Sequence, residues 1–129
     1  MSQRLKFRVM GGSFAICRLP AAASVPEWAR EGAFTSFTRT AEELSIVCPA
    51  DRVPSQFRAE ALWFCLKLQG PFALSQVGIL HSFIQPLAGN GVPIFTVSTY
   101  DTDYILIQEK FRAKALEVLR AAGHELTAD

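Results

Sequence analysis

The order of hydrophobic patterns in the second half of this chain constrains its fold more than any other feature. An apolar strand pattern is followed by helical periodicity, two strand patterns separated by a turn, a second helical pattern and a short final strand. The predicted boundaries are residues 62–68, about 73–89, 92–99, 103–108, 109–122 and 124–127. This β-α-β-β-α-β order predicts the split βαβ, or ferredoxin-like, arrangement of an α+β protein.

The first predicted helix combines an apolar stripe with a start that exposes backbone donors. The stripe consists of side chains spaced three and four positions apart: Val77, Leu80, Ile84, Leu87 and Ala88. Ser75 is expected to be the N-cap or to lie in the first turn, where backbone N–H groups lack helical partners. Pro86 is expected to kink this helix or to end its regular hydrogen bonding near Gln85, because proline has no N–H donor.

The first half of the chain is rich in strand patterns and nearly free of helix. Alternating or apolar runs predict strands at residues 5–9, 13–19, 34–39 and 44–48. The pair Gly11-Gly12 predicts a hairpin between the first two strands. Residues 26–30 supply about one or two helical turns. There Trp28 is expected to dock on the core, with ligand stacking as the alternative. Residues 57–60 fit either a short helix or the start of a strand, and both remain open.

Size and composition exclude several classes of function. The 129 residues, of which 50% are hydrophobic, suffice for one ordinary core or two small cores, which we divide into domains at residues 1–60 and 61–129. The net charge of +1 predicts neither nucleic acid nor an anionic membrane as a partner. Apolar runs are far shorter than the roughly 20 residues of a membrane span, and residues 1–10 do not resemble a signal peptide, so we expect a cytosolic protein.

Neither the cysteines nor the histidines predict a chemical site. Cys17, Cys48 and Cys65 lie far apart in apolar strand patterns without C-x-x-C spacing, which predicts buried and inert thiols. His81 and His124 can titrate near neutral pH, but neither lies in a nucleophile motif or has metal-ligating companions at a usable spacing. We therefore expect no catalytic residue, no metal and no cofactor.

One segment carries a more specific signal than these patterns. Residues 91–107, GVPIFTVSTYDTDYILI, resemble an ACT domain, the small-molecule-sensing version of the ferredoxin-like fold, and the resemblance covers about residues 62–126. Within the family, the segment is similar to short tandem-ACT proteins related to the regulatory region of aspartate kinases and to the CASTOR arginine sensors. The resemblance implies that the first half is a degenerate ACT-like unit with a shrunken helix, which makes the chain a tandem pseudo-dimer.

The resemblance also implies a ligand site. In that subgroup a Ser-Thr-aromatic-x-x-Asp segment lines the ligand pocket together with the start of the first helix. Aligning on Gly78 puts Ser75 and Val77 at the Asp and Pro positions of the family's Asp-x-Pro-Gly signature. This departure removes the acidic side chain of the signature but keeps Gly78, which lets a ligand or a partner backbone come close. The candidate ligand-binding residues are Ser75, Val77, Gly78, Ser98, Thr99, Tyr100, Asp101 and Asp103.

A free amino acid would suit such a site. The N-terminus of a helix favours a carboxylate, because its N–H groups and dipole attract negative charge. Asp101 or Asp103 can hold an ammonium group or a cationic side chain, and Ser98 and Thr99 can add hydroxyl groups. The simpler alternative is that these residues only stabilise a tight turn through bonds to their own backbone.

The expected function is therefore a non-enzymatic regulatory protein that binds a free amino acid between ACT units. These units come either from a tandem pseudo-dimer or from a homodimer, and the protein acts on a regulated partner. One alternative is a protein–protein interaction module without a ligand. The other is a regulatory subunit that acts in trans.

Overall fold

The structure is a computed structural model that describes residues 3–57 and 61–127. The strands in these residues are β1 (Lys6–Val9), β2 (Phe14–Leu19), β3 (Ser36–Arg39), β4 (Leu44–Pro49), β5 (Trp63–Leu68), β6 (Phe95–Ser98), β7 (Asp103–Gln108) and β8 (Glu125–Leu126). The α-helices are α1 (Ile79–Gly89) and α2 (Arg112–Ala121), and short 3-10 turns are formed by Glu27–Ala29, Ala50–Arg52, Ser55–Phe57 and Glu109–Phe111. Within residues 3–57 and 61–127, no helix has the length and apolar character that a membrane span requires.

The chain divides into two compact units. The helical unit combines the described residues up to Met10 with those from Phe64 onward, and the strand-rich unit is Gly11–Trp63. These units differ from the predicted division at residue 60, because β1 pairs with β5 and with β8 and so belongs to the helical unit. Of the undecided residues 57–60, Phe57 ends a 3-10 turn and the other three lie outside the described residues.

The helical unit has the predicted β-α-β-β-α-β order, which confirms the α+β, ferredoxin-like fold class. Its strands lie in the order β6-β7-β5-β1-β8. Strand β1 is antiparallel to β5, with Phe7 opposite Leu68, and parallel to β8, with Phe7 opposite Leu126. The predicted hairpin at Gly11-Gly12 is wrong, because β2 pairs antiparallel with β4 instead of β1. Alternation between neighbouring residues predicts a strand, whereas the partner of that strand depends on residues far away in the sequence.

Both helices pack on one face of this sheet. The sheet contributes buried side chains at alternating positions, and the helices contribute side chains three or four positions apart. This core includes Phe7, Phe64, Leu66, Leu68, Ile105 and Ile107 from strands, and Ile79, Phe83, Leu87, Ala115 and Leu119 from helices. The ring of Phe83 meets that of Phe7 edge-on at a centroid distance of 5.2 Å. Because side chains alternate along a strand, the polar side chains of Lys6 and Arg8 on β1 lie on the opposite face of the sheet.

The strand-rich unit contains β2, β3 and β4, with β4 antiparallel to both neighbours. Its core is formed by alternating residues of β2 and β4 together with Ala29 and Val53. In place of a longer helix this unit has the 3-10 turn Glu27–Ala29, within the one or two helical turns predicted at residues 26–30. Trp28 in that turn packs against the core and stacks on Phe57 at 5.6 Å, which confirms the predicted docking.

Helix α1 begins later than its periodicity predicted. Instead of a helix from about residue 73, residues 73–76 form a separate turn, in which the Gln76 N–H donates to Ala73 O and the Ala73 N–H to Gln76 Oε1. Val77 is 84% exposed and does not belong to the apolar stripe. The buried apolar side chains of α1 are Ile79, Phe83 and Leu87. Pro86 lies within the helix.

The three cysteines and one of the two histidines are buried in the fold. Cys17, Cys48 and Cys65 are free and buried, as predicted. Burial raises the pKa of the Cys17 thiol, and it raises the pKa of Cys48 to about 11 and that of Cys65 to about 12, so these thiols stay protonated near neutral pH. His124 is buried with Nδ1 accepting the Leu5 N–H at 3.1 Å, and Nε2 lies 3.0 Å from Ser82 O.

Candidate functional site

The N-terminus of α1 is open to ligands. Gly78 is its N-cap and adopts a left-handed conformation, with a φ of +81°, and no side chain caps the helix there. The first full helical bond runs from the Ser82 N–H to Gly78 O at 2.9 Å. The N–H groups of residues 79–81 therefore have no acceptor within the helix. Together with the positive end of the helix dipole, they suit an anionic group.

The turn between β6 and β7 is bonded from within. Thr99 Oγ1 donates to Thr102 O at 3.0 Å and accepts from the Thr102 N–H at 3.2 Å, and the Thr99 N–H also donates to Thr102 O. Ser98 and Asp103 are opposite each other in the strand register, and the Ser98 hydroxyl donates to the Asp103 carboxylate. Part of the hydroxyl chemistry here thus serves the turn, as the simpler alternative predicted.

Two hydrogen bonds hold this turn beside the segment that leads into α1. The Phe72 N–H donates to Asp101 O at 2.8 Å, and the Thr102 hydroxyl donates to Leu68 O at 2.8 Å. Thr102 is buried, whereas the neighbouring Tyr100 and Asp101 are exposed. The turn is therefore fixed through its backbone and through Thr102, and the side chains of Tyr100 and Asp101 remain available.

The helix start and the turn line one cavity of about 300 Å³. Six of the eight candidate residues line it: Gly78, Ser98, Thr99, Tyr100, Asp101 and Asp103. Asp103 is half-buried and Asp101 is exposed. A positive helix end and two carboxylates thus share one small space, with hydroxyl groups beside them. Such a cavity can complement a ligand that carries both signs of charge.

Ser75 and Val77 do not line this cavity. Ser75 is exposed in the turn of residues 73–76 and is not the N-cap, so that prediction is wrong. The cause is Gly78, whose left-handed conformation separates the turn from the helix. A Cβ added at Gly78 would have no heavy atom within 4 Å. The positive φ of this residue, and not a close backbone approach, therefore explains why glycine occupies the position.

Eight of the described residues that line the cavity are not among the candidate ligand-binding residues. They are Phe72, Ala73, Leu74, Gln76, Ile79, Leu80, His81 and Thr102. His81, which the sequence did not assign to a site, lies three residues after the N-cap. A correct helix start at Gly78 would have found it, since side chains of the first turn surround the helix end.

The described residues contain no group of three or more His, Cys, Asp or Glu side chains that can hold a metal ion.

Comparison with known proteins finds related sequences along most of the chain. A family model described as ACT domain matches residues 58–121, and a model described as an N-terminal domain matches residues 12–56. Subunit 1 of the cytosolic arginine sensor for mTORC1 from Bos taurus is 35% identical over 110 residues, which cover 71% of this chain and 33% of the relative. The matched region thus spans about a third of that relative's length.

Solved structures agree with this relationship. A protein from Agobacterium tumefaciens is 44% identical, with a TM-score of 0.90 over 99% of this chain and 96% of that one. Aspartate kinase from Clostridium acetobutylicum is 11% identical, with a TM-score of 0.60 over 95% of this chain and 34% of the kinase. At that identity the kinase shows a shared fold alone.

Proposed function

Because this chain belongs to the ACT-domain family, we propose that it is a non-enzymatic regulatory protein that binds a free amino acid. The observation that carries the proposal is the cavity in which the start of α1 meets Asp101 and Asp103. A free amino acid is a zwitterion, so both of its charged groups need a complement of opposite sign. This cavity offers one of each within about 300 Å³, at the lower end of typical ligand sites.

The α-carboxylate binds at the start of α1. Its oxygens accept hydrogen bonds from the N–H groups of residues 79–81, which the absence of a capping side chain leaves accessible. The helix dipole adds about 0.3–1 kcal/mol at an exposed helix end and more where the group is partly buried. Gly78 contributes the left-handed conformation at which α1 begins.

The ammonium group binds at Asp103. This carboxylate is half-buried and held by the Ser98 hydroxyl, so it loses little side-chain freedom on binding. Asp101 is exposed and can receive a second cation. Two carboxylates in one cavity make basic amino acids the first candidates. The Bos taurus relative, which is named as an arginine sensor, supports the same choice.

Binding would regulate by shifting a population. A ligand that joins the start of α1 to the β6–β7 turn favours packings in which these two segments stay together. Its effect on a partner is limited to the difference in its affinity for the two packings. The regulated partner is then a protein that distinguishes them.

A protein–protein interaction without ligand is the second candidate. Three large apolar side chains near the cavity are strongly exposed, namely Leu74 (71%), Val77 (84%) and Tyr100 (78%). Exposed apolar side chains that cluster at one place mark interaction surfaces. A second copy of the chain can cover them, and light scattering after size exclusion measures whether the protein dimerises with and without amino acids.

A thermal-shift screen against the twenty amino acids tests the first candidate. An amino acid at about a hundred times its Kd adds roughly 2.7 kcal/mol to the free energy of unfolding. We expect one basic amino acid to raise the Tm and the others to raise it less. If no amino acid raises the Tm, the amino-acid proposal is wrong and the interaction module remains.

Matched variants locate the response. Asp103→Ala should abolish the shift without changing the fold, because it removes the carboxylate that holds the ammonium group. Asp51→Ala is the control, since it also removes a carboxylate, but an exposed one in the strand-rich unit. An unchanged shift in Asp103→Ala returns Asp103 to the role of a turn residue.

A further inference from the structure

The face of the helical unit's sheet that points away from the helices carries a cluster of cations. Arg8 on β1 is directly opposite Lys67 on β5 in the antiparallel register, next to the pair Phe7 and Leu68. Because Phe7 and Leu68 are in the helix-covered core, the alternation turns Arg8 and Lys67 to the other face. Lys6, two positions before Arg8 on the same strand, shares that face.

These cations line a cavity that is larger than the one at the start of α1. Its volume is about 680 Å³. Its walls include Lys6, Arg8 and Lys67 together with Gln69, Tyr104 and Asp101. Among the described residues that line it, Asp101 is the one acidic side chain against three cationic ones. Cationic side chains therefore outnumber acidic ones among the described residues of this lining, although the net charge of the whole chain is only +1.

Two of these cations are direct neighbours across the sheet. Arg8 and Lys67 are opposite each other in the antiparallel register, which brings two cationic side chains to one place on this face. Lys67 Nζ lies 5.9 Å from the centroid of the Tyr104 ring, a contact that orients the ammonium group but does not neutralise it. Glu125 on β8 is the register partner of Lys6, but it lines a different cavity.

We propose that this cavity binds a small polyanion through phosphate or clustered carboxylate groups. An anion between Lys6 and Lys67 would accept charge-assisted hydrogen bonds from both ammonium groups, with Arg8 beside them. The amide of Gln69 and the phenol of Tyr104 can bond the rest of the molecule. Its size fits a metabolite-like ligand. A long nucleic acid would need a more extended cationic surface than three side chains provide.

This cavity, called the sheet-face cavity below, is distinct from the proposed amino-acid site, although Thr99, Asp101 and Thr102 line both. A zwitterionic amino acid carries one positive and one negative group at its α-carbon, whereas the described lining of the sheet-face cavity has three cations and one carboxylate. The polyanion proposal is therefore tested with anions and not with the amino acids that test the first site. Inorganic pyrophosphate represents the phosphate arm and citrate represents the carboxylate arm.

The test is a titration of the full chain by calorimetry, with the Tm followed in parallel. Each probe is compared with sodium chloride at the same ionic strength, because screening by salt also relieves repulsion between exposed charges. The double variant Lys6→Gln/Lys67→Gln removes two cations from the cavity. The matched control is Lys110→Gln/Lys114→Gln, which removes two exposed cations from outside it.

We expect pyrophosphate, citrate or both to bind and to raise the Tm more than sodium chloride does. The Lys6→Gln/Lys67→Gln variant should lose at least about tenfold in affinity, since a hydrogen bond to a charged group is worth about 1.5–3 kcal/mol. The control should stay within about twofold of the wild type. Binding of neither probe overturns the proposal, and so does an equal loss in both double variants, which would mean non-specific attraction.

Discussion

Two cavities meet at the turn between β6 and β7, and they differ in the signs of charge that surround them. Thr99, Asp101 and Thr102 line both. Among the described residues, the cavity at the start of α1 combines backbone donors with two carboxylates, whereas the sheet-face cavity combines three cations with one carboxylate. The same turn thus borders the proposed amino-acid site and the proposed polyanion site.

The difference shows how selectivity can arise from shared scaffolding. Backbone N–H groups at a helix end do not titrate, and only a substitution to proline removes one, so the positive side of the first cavity does not depend on side-chain charge. The second cavity depends entirely on side chains and on the pairing of β1 with β5. We therefore expect the two sites to respond differently to surface substitutions and alike to loss of the core.

Loss of the core should abolish both sites together and give the largest effect. Phe83 is fully buried and contacts the rings of Phe7 and His124. Phe83→Ala should lower the free energy of unfolding by about 3–5 kcal/mol, measured by urea denaturation. Both ligand responses should weaken as the population of folded protein falls. Retention of one response in unfolded protein would show that its site does not need the sheet.

High pH should also weaken both sites together, through the buried thiols. Burial raises the folded pKa values of these thiols above the ordinary value of 9.0, to about 11 for Cys48 and about 12 for Cys65. The folded state then holds more protons than the unfolded state above pH 9, so stability is full below pH 9 and falls as the pH rises toward 11 to 12.

The slope of that loss is at most roughly 1.4 kcal/mol per pH unit for each thiol. Urea denaturation at pH 8, 9 and 10 measures it. Cys65→Ala should be less stable at pH 8 but should show a shallower slope than the wild type. Equal slopes would mean that the Cys65 thiol ionises alike in both states.

A substitution at Gly78 should separate the two sites. Gly78→Ala places a Cβ on a residue with a φ of +81°, which costs about 1–2 kcal/mol. The space there is empty, so the cost is conformational and the start of α1 should shift. Amino-acid binding should weaken while polyanion binding stays unchanged. Gly89→Ala, at the other end of α1, is the control and should leave both unchanged.

A substitution at Asp101 should move the two affinities in opposite directions, with the smallest effect. Asp101→Asn removes the acidic side chain that lines both cavities and keeps the backbone bond to the Phe72 N–H. We expect polyanion affinity to rise and affinity for a basic amino acid to fall, each by a few-fold, as is typical of exposed charges. If calorimetry shows that both affinities rise or that both fall, the division of charges between the cavities is contradicted.

Local patterns predicted the elements of the fold well. The strand Asp103–Gln108 has the predicted bounds, and its three consecutive apolar residues, Ile105, Leu106 and Ile107, are all fully buried. Family resemblance added the segment at residues 98–103, which patterning would have left as an ordinary hairpin turn. The order of elements and the resemblance together fixed the fold class.

Long-range features escaped prediction for physical reasons. The pairing of β1 with β5 joins residues about sixty positions apart, and nothing near Lys6 or Lys67 reveals it. The cationic cavity follows from that pairing, so it was invisible in a chain with a net charge of +1. The late start of α1 escaped because Val77 continues the helical spacing, whereas the conformation of Gly78 depends on the folded turn before it.

The start of α1 provides the most direct test of the proposed function. Amide resonances of ¹⁵N-labelled protein can be followed while an equimolar mixture of the twenty amino acids is added. The account predicts the largest shifts at residues 78–81 and at residues 98–103, with the N–H groups of residues 79–81 moving as they bond the α-carboxylate. Absent shifts, or shifts confined to other parts of the chain, would contradict it.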